Sequence, residues 1–160
     1  MWQNEKGVVR KNIKYLCWGV VLFLLGIQFY QPARNIDNGH ILPTQITQVF
    51  NLPENVQYIF KTSCYDCHSN NTRYPWYSYL QPARFIMELH IKEGKINLNF
   101  SEFGNYSKRK QENKLEAIIK QIKSDEMPLT SYTILHRNSA LSIEQKEIIT
   151  NWIYTTLKKY

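Results

Sequence analysis

A five-residue segment near the middle of the chain most strongly constrains the fold: Cys64-Tyr65-Asp66-Cys67-His68. Cysteines three residues apart lie on the same side of one helical turn, and an imidazole follows at once. Two thiols at this spacing can add to the two vinyl groups of a haem, and the adjacent imidazole presents a nitrogen to the iron. The segment therefore predicts one covalently attached haem c, held at Cys64 and Cys67, with His68 as the proximal iron ligand.

Three other chemistries use paired cysteines, and the sequence disfavours each of them. A thioredoxin-like dithiol lies at a strand-to-helix junction, and no strand–helix–strand pattern surrounds Cys64. A structural zinc site needs two more ligands at paired spacing, and the chain has no second cysteine pair. A disulfide between Cys64 and Cys67 leaves His68 unexplained.

The other face of the iron needs its own ligand, and Met127 is the leading candidate. It precedes a proline, which disfavours helix at the methionine and favours an extended, rigid loop that points the thioether inward. An ordinary core or surface role for Met127 is the alternative. The other residues considered as distal ligands are Met87, His90 and His136.

The first third of the chain is predicted to contain a membrane-targeting segment followed by a linker. A basic flank at residues 1–14 precedes an uncharged stretch at residues 15–33, which as a helix is about 28 Å long, close to the hydrocarbon thickness of a bilayer. This stretch is interpreted as an uncleaved anchor, with a cleaved signal peptide or a buried helix as alternatives. In both membrane readings the flank stays cytoplasmic and residues 34–160 lie on the periplasmic side. Residues 34–52, rich in Pro, Asn and Gly, are predicted to be a linker.

Residues 53–160 are predicted to form one small all-α domain. Apolar residues recur with helical spacing from Pro53 to Cys64, from Pro82 to Gly94, and over about 112–123. Gly94 is expected to end the second helix. A capping box at Ser142 predicts the start of the last helix. With 160 residues and 43% hydrophobic composition, the chain is large enough for one modest core.

The most specific segments beyond the cysteine motif are Tyr-Pro-Trp-Tyr-Ser at 74–78 and Leu-Asn-Phe-Ser-Glu at 98–102. Together with the motif they resemble the small membrane-tethered haem-binding domain family of bacterial c-type cytochromes. The resemblance implies a cytochrome c-like helical fold around one haem, and it supports Met127 as distal ligand. Further matching positions are Ser63, Ser69, Asn70, Pro82, Gly94, Glu126, Pro128, Tyr132, Leu135, His136, Leu141, Ser142 and Trp152.

Two functions are consistent with this site. Iron held by imidazole and thioether is coordinatively saturated, which predicts a non-enzymatic electron carrier for membrane or periplasmic redox partners. A haem-based sensor or a peroxide-reactive protein with an openable distal site is the alternative. The formal charge of +7 permits an acidic partner, and the periplasmic location excludes nucleic acid.

Haem is also expected to contribute to folding, because the domain is poor in aliphatic residues. Without haem the domain is expected to be molten or unfolded. Arg73 and Arg84 are candidate partners for the haem propionates, with an exposed surface charge as the favoured interpretation of each. The candidates for the pocket walls are Tyr74, Trp76, Tyr77 and Trp152, and packing in the aromatic core is the favoured interpretation of each one individually.

Overall fold

The computed structural model describes residues 2–159, with side chains from residue 10 onward. All the regular elements in this range are helices and none is a strand, so the predicted all-α class is confirmed. The α-helices are α1 (Trp2–Ile27), α2 (Ile46–Val49), α3 (Glu54–Ser63), α4 (Tyr65–His68), α5 (Ala83–Asn97), α6 (Lys108–Lys123), α7 (Thr130–Leu135) and α8 (Ile143–Leu157), and 3₁₀ turns occupy Trp76–Tyr79, Phe100–Asn105 and Arg137–Ser139.

The helices α3, α6 and α8 lie where apolar periodicity predicts them. At the start of α8, the Ser142 hydroxyl accepts from the backbone N–H of Gln145 at 3.1 Å, and the Gln145 side chain accepts from the backbone N–H of Ser142 at 2.9 Å. The predicted capping box is therefore present. It satisfies two backbone donors that the first turn of a helix otherwise leaves unpaired.

The prediction that Gly94 ends its helix is wrong, because α5 continues to Asn97. The glycine permits a close approach of two backbones. A Cβ atom at this position would lie 2.6 Å from the carbonyl oxygen of Cys67. Only a residue without a side chain lets α5 pass this close to the cysteine motif.

The described residues form two compact units. The first comprises residues up to Ala33 together with Tyr74–Leu89. Within it, the Gln28 side chain accepts from the Gln81 backbone at 3.0 Å and donates to its carbonyl at 3.3 Å. The rings of Tyr30 and Phe85 meet edge to face, with their centroids 6.1 Å apart.

The second unit comprises Arg34–Arg73 and His90–Tyr160, of which residues up to 159 are described. Its core is aromatic at the centre. Phe60 stacks on Phe100 with ring centroids 4.9 Å apart, and Trp152 meets Phe60 edge to face at 5.8 Å. The aliphatic side chains of α6 and α8 complete the core, with Leu115 and Ile153 fully buried.

Residues 34–52, predicted to be a linker, instead pack into the second unit. Ile46 is fully buried in the core and Leu52 is 4% exposed. The backbone N–H of Gly104 donates to the carbonyl of Thr44 at 2.7 Å. The turn-forming residues of this segment predict its local conformation correctly. The few apolar residues of the segment are nevertheless enough to attach it to the core.

The predicted transmembrane helix at residues 15–33 is not confirmed. The helix α1 begins earlier and ends at Ile27, before Pro32. Its uncharged part, from Tyr15 onward, is about 20 Å long, whereas a bilayer's hydrocarbon layer is about 30 Å thick. Among the residues that the structure describes, no helix combines the length and the apolar character needed to span a membrane.

Candidate functional site

The cysteine motif forms a separate helical turn directly after α3. Cys64 interrupts the helix with φ −125° and ψ −42°, and α4 follows from Tyr65 to His68. The carbonyl of Cys64 accepts from the backbone N–H groups of Cys67 at 3.2 Å and of His68 at 3.0 Å. This turn holds both thiols and the imidazole on one short segment, as the spacing predicts.

Two backbone carbonyls orient the ring of His68. Its Nδ1 lies 2.9 Å from the carbonyl oxygen of Gly94 and 3.0 Å from that of Leu98. Carbonyl oxygens only accept hydrogen bonds, so Nδ1 carries the proton and Nε2 keeps its lone pair. This is the arrangement found at histidines that bind metals through Nε2.

Burial favours the same neutral form of this imidazole. Desolvation lowers the pKa of His68, and the two backbone hydrogen bonds act in the opposite direction with a smaller effect. A neutral imidazole is the form that ligates a metal ion. His68 is thus oriented and protonated as an axial ligand requires.

A cavity of about 370 Å³ lies beside this ring, and Cys64, His68 and Met127 all line it. Its walls are largely apolar. Phe100 forms one wall and meets the His68 ring edge to face, with centroids 6.4 Å apart. The other lining residues are Ser63, Asn97, Leu98, Lys114, Ala117, Ile118, Gln121, Ile122, Pro128 and Leu141.

The loop that carries Met127 is tied to the end of α6. Asp125 adopts a left-handed conformation with φ 58°, which turns the chain after the helix. The carbonyl of Gln121 then accepts from the backbone N–H groups of Glu126 at 3.1 Å and of Met127 at 3.2 Å. The bond from Glu126 is the outer, six-to-one bond of a Schellman-type helix end. The cap directs the chain so that the methionine side chain reaches the cavity.

None of the other candidate ligands lines this cavity among the described residues. Met87 belongs to the first unit, whereas every lining residue belongs to the second. His90 lies half-buried on α5. His136 stacks on the ring of Tyr132, with centroids 4.4 Å apart. Of the proposed distal ligands, the structure brings only Met127 together with His68.

The aromatic residues considered as candidates for the pocket walls lie elsewhere. Trp76 is 76% exposed, and Tyr74 and Tyr77 belong to the first unit. Trp152 is buried in the aromatic core. Phe100 lines the cavity instead, and the only signal for it in the sequence is its position in the Leu-Asn-Phe-Ser-Glu segment.

The two arginines considered as candidate partners of the propionates have other partners. Arg73 forms an ion pair with Asp66 at 2.9 Å, and Arg84 donates to the carbonyl of Pro32. The cation that lines the cavity is Lys114, which sequence reasoning missed. The sequence did contain a signal for this position, because Lys114 lies one helical turn before Ile118, on the face of α6 that lines the cavity.

The protonation of the two thiols argues against a dithiol oxidoreductase. The pKa of Cys64 is raised to about 12, mainly by burial and to a smaller extent by the neighbouring Cys67. The pKa of Cys67 is raised to about 11, mainly by burial and to a smaller extent by the charge of Asp66. Reactive dithiols of the thioredoxin type require lowered values, since the thiolate is the nucleophile. Both thiols are therefore protonated at neutral pH.

An oriented imidazole, a thiol and a thioether around an apolar cavity are the donor set of a haem-binding protein. Comparison with known protein families gives the same class: residues 22–155 match the haem-binding domain family. This match covers most of the chain, which therefore belongs to that family. Neither the curated proteins nor the solved structures contain a match.

Proposed function

We propose that the domain binds one haem c covalently and acts as a carrier of single electrons. Cys64 and Cys67 are the proposed thioether attachment points, His68 the proximal ligand and Met127 the distal ligand. The observation that carries this proposal is that one apolar cavity is lined both by a histidine whose Nδ1 is fixed by two backbone carbonyls and by a methionine held by a helix cap.

Bound haem supplies an iron that cycles between Fe(III) and Fe(II). The residues around it have separate tasks. His68 and Met127 would hold the iron and leave no open position for a substrate, and a soft thioether would favour the reduced state. Phe100 and the apolar face of α6 exclude water from the cavity. Lys114, with Asn97 beside it in the lining, is the proposed partner of the propionates, since its charge is complementary to a carboxylate.

Covalent attachment is tested on the purified full chain, produced in a host competent for cytochrome maturation. The mass is expected to equal the polypeptide plus one haem and to survive acid denaturation. A Cys64→Ala, Cys67→Ala double variant is expected to release any bound haem under the same treatment. Wild-type protein with the mass of the bare polypeptide would contradict the proposal.

Methionine ligation is tested by spectroscopy on the oxidised protein. The weak near-infrared iron–sulfur charge-transfer band is expected in the wild type and absent from Met127→Ala. Met87→Ala is the matched control, because this methionine lies in the first unit, and it is expected to keep the band. Rapid carbon monoxide binding by the reduced wild type would favour the alternative function, a sensor or peroxide-reactive protein with an open distal site.

The proposed location is the periplasmic face of the cytoplasmic membrane, with membrane or periplasmic redox proteins as partners. Its support is the basic N-terminal flank together with α1, on which apolar side chains such as Leu16, Leu22 and Phe23 are more than 60% exposed. Covalent haem attachment outside the cytoplasm is consistent with it. Fractionation is expected to recover the protein with membranes, and a protease added to spheroplasts is expected to digest residues 34–160. Recovery from the cytoplasmic fraction would contradict the location.

A further inference from the structure

Asp66, between the two cysteines, is a buried carboxylate at the centre of a hydrogen-bond network. It is 8% exposed and accepts from the Arg73 side chain at 2.9 Å (Nε) and 3.0 Å (a terminal nitrogen). The backbone N–H of Arg73 adds a third bond at 3.2 Å. The hydroxyl of Tyr132 donates the fourth, at 2.6 Å. Arg73 also donates to the carbonyl of Lys61 at 3.1 Å, which fixes the network to the end of α3.

Tyr132 connects this network to the methionine loop. It lies on α7, five residues after Met127, and its backbone N–H donates to the carbonyl of Leu129 at 2.9 Å. The cap on Gln121 holds the start of the same loop. The loop is thus attached at one end to α6 and at the other, through the Tyr132 side chain, to the cysteine motif.

We propose that the Tyr132–Asp66 hydrogen bond fixes the separation of the two axial ligands and makes Tyr132 a positioning residue for Met127. The bond joins a residue two positions before His68 to one five positions after Met127, so it connects the two sides of the cavity over a short chain path. This inference rests on the proposed ligation by Met127. Tyr132 itself does not line the cavity.

The bond is strong enough to affect ligand exchange. Hydrogen bonds to charged groups contribute energies that correspond to tenfold or more in an equilibrium constant. Without the bond, Met127 is still capped by α6, but the loop is free to move at its other end. An added ligand that displaces the thioether then has fewer loop contacts to break.

The test is an imidazole titration of the oxidised full-length holoprotein, followed by loss of the iron–sulfur band. Tyr132→Phe keeps the ring and removes the hydroxyl, and we expect it to bind imidazole about tenfold more tightly than the wild type. The matched control is Tyr106→Phe, which removes a hydroxyl that accepts from the Asn99 backbone at 3.0 Å, away from the loop. We expect its imidazole affinity to equal that of the wild type.

A second measurement separates positioning from general stability. On heating, Tyr132→Phe is expected to lose the iron–sulfur band below the temperature at which helicity is lost, whereas the two losses coincide in Tyr106→Phe. Should Tyr132→Phe fail to fold, Asp66→Asn, which removes the charged acceptor, is expected to shift imidazole affinity in the same direction.

The outcomes distinguish this inference from the proposed function. Unchanged imidazole affinity in a variant that shows the wild-type band overturns the positioning role alone. An equal increase in Tyr106→Phe also overturns it, because the effect is then one of stability. A wild type without the band contradicts Met127 ligation itself, and the positioning role with it.

Discussion

Gly94→Ala tests the contact on which the geometry of His68 depends. The added methyl would lie 2.6 Å from the carbonyl oxygen of Cys67, about 0.8 Å closer than ordinary van der Waals contact. Backbone atoms cannot rotate away, so α5 must move from the cysteine motif. That movement stretches the hydrogen bonds from His68 to the carbonyls of Gly94 and Leu98.

Two effects lower the stability of this variant and one effect raises it. Overpacking costs about 1–3 kcal/mol, and weakening of the His68 hydrogen bonds adds about 1 kcal/mol. Alanine is the better helix former by about 1 kcal/mol, which offsets part of the loss. The net destabilisation is about 2 kcal/mol, which for a chain of this size lowers Tm by about 8 °C.

The assay is thermal unfolding of the oxidised holoprotein followed by circular dichroism. Gly26→Ala is the matched control, because it makes the same change in α1, where nothing lies within 4 Å of the added methyl. Its Tm is expected to be unchanged or slightly raised. A Gly94→Ala variant that melts at or above the wild-type temperature would refute the close approach as the reason for this glycine.

Three further outcomes are expected. Ser142→Ala removes the acceptor of the capping box and is expected to lower the free energy of unfolding by about 1 kcal/mol, measured by urea denaturation; no change would mean that water replaces the cap. Burial raises the pKa of Tyr132 above 10.0, and the hydrogen bond to Asp66 raises this pKa further. The contribution of the Tyr132 hydroxyl to stability is therefore complete below about pH 10 and is lost as the pH rises through the raised pKa. Urea denaturation above about pH 10 is expected to show a steeper decline of the free energy of unfolding with pH in the wild type than in Tyr132→Phe, and equal slopes would contradict this. The Cys64→Ala, Cys67→Ala double variant is expected to lack a cooperative thermal transition, and a native-like transition measured by calorimetry would show that the domain folds without haem.

Local patterns predicted the helices and the chemistry of the motif. The apolar stripes of α3 and α6 and the capping box of α8 depend on residues within a few turns of one another. The spacing of Cys64, Cys67 and His68 likewise determines their placement on one turn. These features survive in the fold because the tertiary contacts of those segments agree with their local preferences.

The surroundings of the site were less predictable. Arg73 was a candidate for the propionates but pairs with Asp66, which is seven residues away. Because the acidic residues of the chain are chemically equivalent, the sequence does not show which of them Arg73 contacts. Trp152 was a candidate pocket wall but packs in the aromatic core, where its indole N–H donates to the carbonyl of Asn51 at 3.4 Å. Gly94 was interpreted as a helix end because its packing partner, Cys67, lies 27 residues earlier in the chain.

The sequence by itself determined the helical class, the placement of Cys64, Cys67 and His68 on one helical turn, and the position of Met127 in a loop. Only the tertiary structure decided that Met127 shares a cavity with His68, that Phe100 and Lys114 line it, and that residues 34–52 belong to the core. The physical reason is the range of the interactions. Helix periodicity and ligand spacing act within one or two turns, whereas a cavity is formed by side chains from distant segments whose positions depend on how all the helices pack together.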